Sequence, residues 1–368
     1  MKEASLITIL ELLKRHIFYT DGFWIYRDDY GEDQVVDSNN VRAYIRGQQT
    51  MLEKDIGIIM EELTHNRIDF DIDQYLQERI AMRASTGKSK YFASLDKLYP
   101  GNKFREIMNY YLFSKEKQCF ILVGYGQTGK TTFVNIINRI VGEALCGRSN
   151  VAMLKGSHGT ASLEGKIIYE VAEAQDLDLD TANLLKSMIT NDAISINPKF
   201  ERQRMIKPHV KMIMTCNNMP RFRVSDDGII RRFITVEMNN KIKKQDNNFM
   251  NMINDDIPNI IGEALLHPFN IEDFAEEQYY MFQHDPQYGF GYGIPDKEYI
   301  GGTLYDNYRD MCRACGYMAR NKANFEKYAA LAKIYQERIK KCDTTSKDLV
   351  EKNGFFSLST LGKESLPF

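Results

Sequence analysis

The chain is predicted to be an α/β protein built on a phosphate-loop core, and three observations carry that reading. In the stretch Cys119 to Val141, CFILVGYGQTGKTTFVNIINRIV, an apolar run, a glycine-rich loop and a helical pattern follow one another. Further apolar runs at Lys166–Ala172, Val210–Cys216 and Phe233–Met238 alternate with helical segments, as strands of one sheet would. The bulk numbers are those of a soluble globular chain: 368 residues, 43% hydrophobic, 27% charged and a formal net charge of -2. That length has room for two or three domains, and that charge confines any nucleic-acid surface to a local patch.

The opening residues, MKEASLITILELLKRH, carry Glu3 and Glu11 within an apolar pattern, so they are read as an amphipathic helix and not as a signal peptide. From Ile17 to Tyr26 the chain is rich in aromatics, which suggests a hairpin turning at Asp21-Gly22, with Trp24 in its core. A polar turn over Asp28–Asn40 precedes helical patterning from Val41 through Thr64. Residues 1–90 are therefore expected to form a first region that ends in a linker at Ala84–Lys90. Residues 91–268 are expected to form the core, entered by an amphipathic helix at Phe104–Phe113, and residues 269–368 a separate C-terminal domain. Gly289–Gly293 reads as the linker into that last domain. No apolar run approaches membrane-spanning length. The six cysteines are scattered without a disulfide framework, which fits a reducing cytoplasm. Cys312 and Cys315 have metal-ligand spacing but no second Cys or His pair nearby, so they are assigned no metal.

Residues Gly124 to Thr131 spell G-x-x-x-x-G-K-[ST], between the apolar run and the helix. Gly124, Gly126 and Gly129 let backbone N–H groups turn inward around a phosphate, and the helix N-terminus adds partial positive charge. Gln127, Thr128 and Thr132 complete the expected cradle, Lys130 would reach the β and γ phosphates, and Thr131 would help hold Mg²⁺. A nucleoside triphosphate with Mg²⁺ is the ligand this implies. Hydrolysis would also need an acidic group at the end of a neighbouring strand to steady the Mg²⁺ or orient the attacking water, and KIIYEVAE offers Glu170 and Glu173. Strand alternation puts the two on opposite faces. Glu173, at the strand's end, is the better placed, because a charged Glu170 in mid-strand would be costly to bury unless the strand stops early or the side chain is paired.

Further along, alternation around Ile194 and Ile196 with an Asn197-Pro198 turn suggests a β-hairpin. Lys199, Arg202, Arg204, Lys207 and Lys211 gather there with Phe200 among them, and they can be read as a nucleic-acid surface or as charges guarding a strand edge. Asn217, at the end of its strand, is placed to sense a γ-phosphate, though Asn-x-x-Pro is also turn chemistry. Arg231 and Arg232 are the candidates for a guanidinium that reaches a neighbouring subunit's phosphates.

Taken together, the loop Gly124–Thr132, the Gly165-Lys166 strand ending in Glu173, Leu179-Asp180, Lys186, Asp192, Asn217-x-x-Pro220 and Asp226-Asp227-x-x-x-Arg231-Arg232 resemble a superfamily 3 helicase. The likeness is to the helicase half of phage and plasmid primase–helicases, poxvirus-type members included, and is strongest from about Phe120 to Met238. The resemblance implies a small helical, oligomerising domain over residues 1–90, an AAA+-like ATPase core, and a winged-helix domain after it, suggested by Leu304–Lys341. It also implies a homo-oligomeric ring, usually a hexamer, with ATP between subunits and single-stranded or forked DNA through the centre. Lys130, Glu173, Asn217 and Arg231 or Arg232 would then be catalytic, with Lys199 and its neighbours on DNA. Ala172 stands where the family often has an acidic or hydroxyl residue, and Asn191-Asp192 stands where it has Gly-Asp. No primase domain is expected ahead of the core, so a separate primase or initiator would serve. The function implied is an ATP-dependent DNA helicase, 3′ to 5′, in replication of a phage, plasmid or other mobile element. The alternatives are an ATPase ring that loads or anchors a replication partner without unwinding, and a packaging or defence ATPase.

Overall fold

The computed structural model describes residues 3–20, 22–48, 53–174, 176–198, 202–222, 232–243, 249–275, 277, 309 and 321–323. The chain forms two compact units, one of Met1–Val224 with Glu237–Phe269, the other of Ser225–Val236 with Asn270–Phe368.

The first unit opens with α1 (Glu3–Leu13) and a three-stranded antiparallel sheet of β1 (Ile17–Thr20), β2 (Phe23–Arg27) and β3 (Asp33–Val36). Thr20 pairs with Phe23, so β1 and β2 form the hairpin that the aromatic run suggests. The polar stretch Asp28–Asn40 is not simply a turn, because β3 lies inside it and pairs with β2 from Trp24↔Val36 to Arg27↔Asp33. Arg27 and Asp33 close that pairing with two hydrogen bonds, 2.7 and 2.8 Å. Helices α2 (Ser38–Gln48) and α3 (Glu53–Leu63) follow. Their apolar residues Val41, Ile45, Ile56, Ile59, Met60 and Leu63 share one core with Leu13, Ile17, Tyr19 and Trp24. Trp24 is buried against Tyr19, with ring centroids 4.7 Å apart. The opening region is thus a mixed sheet-and-helix layer and not all helical.

Two more helices, α4 (Ile72–Ala81) and α5 (Lys90–Leu95), are capped by Asp71 and Ser89, whose side chains accept N–H groups of the first turn. Ser89 belongs to the stretch read as a linker, yet it is buried and donates to Asp256 at 2.8 Å. Ser85 N–H bonds Pro258 O at 2.9 Å. Ala84–Lys90 is therefore pinned to a later helix through Ser85 and Ser89, whose N–H also bonds Glu263 at 2.6 Å.

The core continues with α6 (Lys103–Phe113), β4 (Cys119–Val123), α7 (Lys130–Val141), β5 (Cys146–Asn150), the single turn α8 (Val151–Leu154) and β6 (Ile168–Ala172). Next come β7 (Asp176–Leu177), α9 (Leu179–Thr190), the hairpin of β8 (Ile194–Ile196) and β9 (Arg204–Ile206), β10 (Lys211–Cys216) and β11 (Arg221–Phe222). Four strands of this unit run parallel in the order β4-β10-β6-β5. Every residue of β4 and β6 is buried, as expected of strands covered on both faces. One cover is α6, whose Tyr110 packs edge-on against Phe120 and Phe269, with Tyr111 tilted against Phe120. Helix α9 ends on Asn191 at φ 56°. A left-handed cap wants glycine and tolerates asparagine next best, which accounts for Asn191 where the resembled family has Gly.

In the second unit, β12 (Phe233–Glu237) is buried along Phe233–Val236, and a short 3-10 helix, Ile271–Phe274, is capped by Asn270. Helix α10 (Phe249–Leu266) belongs to the first unit. The glycine–aromatic loop, the Cys312–Cys315 pair and the winged-helix expectation fall almost wholly outside the described residues. Among the described residues, no helix is long and apolar enough to cross a membrane.

Candidate functional site

In parallel α/β sheets ligands bind beyond the carboxyl ends of the strands, so the ends of β4, β10 and β6 locate the site. Val123 lies beside Cys216, and Thr215 beside Ala172. The ladder then extends by one bond on each side: Gly124 N–H to Cys216 O at 3.2 Å, and Glu173 N–H to Thr215 O at 2.9 Å. Gly124, Asn217 and Glu173 are therefore the first residues past three adjacent strands, along one edge.

The loop after β4 is shaped by backbone that side chains resist. Gly124 has φ 153°, Gln127 66° and Gly129 95°. A Cβ at Gly124 would lie 2.1 Å from Met238 O, so only glycine fits where the segment after β12 crosses the loop. That segment holds the loop from outside. Met238 N–H bonds Val123 O at 2.7 Å, and Ile242 N–H bonds Gln127 O at 2.9 Å. Tyr99 Oη accepts from Asn240 N–H at 3.1 Å and donates toward Thr128 O at 3.4 Å.

Lys130 is buried inside the loop and donates its ammonium to the loop's own carbonyls, Gly124 O and, at 2.7 Å, Tyr125 O. Burial holds its amine below the ordinary value. Thr128 is buried and donates to Tyr125 O at 3.1 Å, whereas Thr131 is exposed at the start of α7. Gly129 gives α7 no side-chain cap, so its first N–H groups are left without a capping side chain at the loop. A Cβ at Gly126 would meet nothing within 4 Å, so there is room on that side. Donors, cation and space suit a phosphate, and the Thr131 hydroxyl suits a hard cation such as Mg²⁺.

The two glutamates separate. Glu170 is buried in mid-strand and paired: it accepts from Thr215 Oγ1 at 2.7 Å and lies 3.2 Å from Arg148 Nε on the neighbouring strand. Glu173 is exposed past the strand's end at φ 54°, a left-handed conformation that a non-glycine residue adopts at a cost. Asn217 is exposed beside it in the chain turn after β10.

The hairpin exists, with Ile194 opposite Ile206 and Ile196 opposite Arg204. Lys199 and Phe200 lie outside the described residues. Arg202 is exposed, with Glu61 of α3 at 3.4 Å. Arg204 is turned inward and donates to both oxygens of Glu164 at 2.7 and 2.8 Å. Arg231 lies outside the described residues, and Arg232, half-buried, precedes β12 in the second unit. Sequence reasoning did not find Arg148, Thr215, Glu164 or the Tyr99–Asn240 contact. Each acts through strand register or a long-range packing partner, and no local motif announces that.

A family model described as a family of unknown function (DUF5906) matches residues 122–232, the span that holds the loop, both glutamates, the hairpin and the paired arginines. No curated protein matches. Among solved structures, the chain is similar to an A form apo structure of the NrS-1 C terminal region (305–718), at 13% identity and TM-score 0.51, with 95% of this chain and 94% of that one covered. Two other structures of the NrS-1 C terminal region align at 12% identity and TM-score 0.46, covering 87% and 96% of this chain and 93% and 94% of theirs. At 13% identity the first likeness is one of fold.

Proposed function

We propose that this chain is a phosphate-loop ATPase that drives a DNA helicase in the replication of a phage, plasmid or other mobile element. The observation that carries the reading is the clustering at one sheet edge of a buried loop lysine, an uncapped helix N-terminus and an exposed, strained glutamate one strand away from the central β10. A non-glycine residue held in a left-handed backbone at such an edge is where function tends to store strain.

On this reading Lys130 leaves its two carbonyls for the β and γ phosphates of ATP, and the N–H groups of α7 receive the phosphate oxygens. Bound Mg²⁺ would neutralise charge on the transferring phosphoryl group. Thr131 would help hold it, Glu173 would orient or deprotonate the attacking water, and Asn217 would contact the γ-phosphate side. Arg231 or Arg232 would act in a neighbouring copy of a ring, in keeping with the resemblance to superfamily 3 helicases. The hairpin would follow a single-stranded backbone through charge, with Arg202 exposed for it.

The test is ATP hydrolysis with and without single-stranded DNA, for the wild type, Lys130→Ala and Arg202→Ala. DNA-stimulated turnover is expected. Lys130→Ala should abolish it, and Arg202→Ala should reduce the stimulation alone. Turnover indifferent to DNA would end the helicase reading in favour of an ATPase that assembles a partner. Turnover that survives Lys130→Ala would end the ATPase reading of the loop.

A further inference from the structure

The hairpin is not free-standing. Glu164 follows the 3-10 turn Gly159–Leu163, and its carboxylate is nearly enclosed. From one side both its oxygens accept from Arg204 Nη2, at 2.7 and 2.8 Å. From the other it accepts the Tyr19 hydroxyl at 2.5 Å. Tyr19 is buried in the N-terminal sheet, and burial together with the facing carboxylate pushes its hydroxyl far above the ordinary range, so it stays a donor. The turn before Glu164 also grips the other strand of the hairpin: Thr160 Oγ1 donates to Ser195 O at 2.9 Å, and His158 Nδ1 lies 2.7 Å from Asn197 O. The two arginines of β9 and its approach are therefore unlike. Arg204 is committed to a mostly buried, charge-assisted pair in which its Nη2 bridges both carboxylate oxygens. Arg202 has an exposed side chain 3.4 Å from a Glu61 that is itself 36% exposed, a contact worth little in water.

We propose that Glu164 is the positioning residue for nucleic-acid binding by this hairpin. By joining Tyr19 to Arg204 it fixes the hairpin on the N-terminal sheet and presents Arg202 to the phosphates of single-stranded DNA. The inference rests on the reading of the hairpin as a DNA surface, and it gives the N-terminal sheet a role as the hairpin's anchor.

The experiment compares wild type, Glu164→Gln and Tyr19→Phe. It reads binding of a labelled oligothymidylate by fluorescence anisotropy at several salt concentrations, affinity for a fluorescent ATP analogue, and amide hydrogen exchange. Glu164→Gln keeps the shape but removes the charge that holds Arg204. DNA binding should weaken roughly tenfold, the scale of one charge-assisted pair, and its salt dependence should become shallower. Exchange should accelerate over residues 194–206 and not over 119–123, and affinity for the ATP analogue should stay within about twofold. Tyr19→Phe, which removes one hydroxyl and should fold normally, is expected to give a smaller loss of about threefold. Wild-type binding that Glu164→Gln leaves unchanged overturns the proposal alone. Tighter binding with a steeper salt slope also overturns it, because Glu164 would then be withholding Arg204 from DNA. Absence of wild-type binding overturns the DNA reading of the hairpin and this proposal with it.

Discussion

Glu173→Gln and Glu170→Gln should fail in opposite ways, and the structure says by how much. Glu173 is exposed, so removing its charge should move stability by less than about 0.5 kcal/mol. Its backbone, at φ 54°, costs on the order of 1 kcal/mol for any residue with a Cβ. Glu173→Gly removes that cost and gives back roughly 0.5–1 kcal/mol through the freer unfolded chain, so it should be neutral or slightly stabilising. Both substitutions remove a group that would orient water, and hydrolysis should fall by roughly 10²–10⁴. Glu170 is 3% exposed, and its carboxylate takes the Thr215 hydroxyl and Arg148. Because Arg148 is 61% exposed, it can return to water, and its pairing contributes about 1 kcal/mol at most. The buried Thr215 bond to a charged acceptor contributes about 1.5–3 kcal/mol. Glu170→Gln should therefore lose about 1–3 kcal/mol by urea denaturation and keep its affinity for ATP. Steady-state hydrolysis beside the denaturation curves separates the cases. If Glu173→Gln hydrolyses at near wild-type rate while Glu170→Gln is inactive but fully stable, the assignment from strand ends is wrong.

Two further outcomes follow from packing and titration. Gly262→Ala in α10 should destabilise by about 1–2 kcal/mol although alanine favours helices, because the new Cβ would stand 1.8 Å from Ser85 O; a gain in stability by urea denaturation would refute that close approach. Lys211, which donates to Tyr110 O at 2.9 Å and to Tyr111 O at 3.2 Å, has its amine pushed down to about 8 by burial, with Asp73 partly opposing the shift. A lowered lysine pKa means that the unfolded chain binds the extra proton between pH 8 and the ordinary value of 10.5, so this group's contribution to stability rises with pH across that window. The stability advantage of wild type over Lys211→Met should accordingly grow from pH 7 to pH 10, by roughly 2–3 kcal/mol. A flat difference would place Lys211 in water.

The phosphate loop was legible because its chemistry is local: strand, glycines, lysine and helix are contiguous in the sequence, and periodicity distinguishes β4 from α7. The same holds for the β1–β2 hairpin and for the hairpin around Ile194 and Ile196. β3 escaped notice because Asp33-Gln-Val-Val is short, half-polar and only partly buried, so it carries the composition of a turn. Ala84–Lys90 was misread for a related reason. Small polar residues look like a linker until a buried acceptor such as Asp256 faces them from 167 residues away. The inward turn of Arg204 is of this kind as well. Alternation on a short strand allows either face, and the choice is made by Glu164, a residue outside the hairpin.

The lysine that hydrogen-bonds its own loop has a kinetic consequence. On the proposed function, an incoming triphosphate must exchange the carbonyls of Gly124 and Tyr125 for its own oxygens, and this lowers apparent affinity by the fraction of loops still closed. The same two acceptors are available again once the γ-phosphate has gone. A side chain with somewhere to return to lets go of product sooner than one that would be left bare in a buried pocket. The empty loop would thus act as a competitor for its own lysine, trading tight binding for turnover.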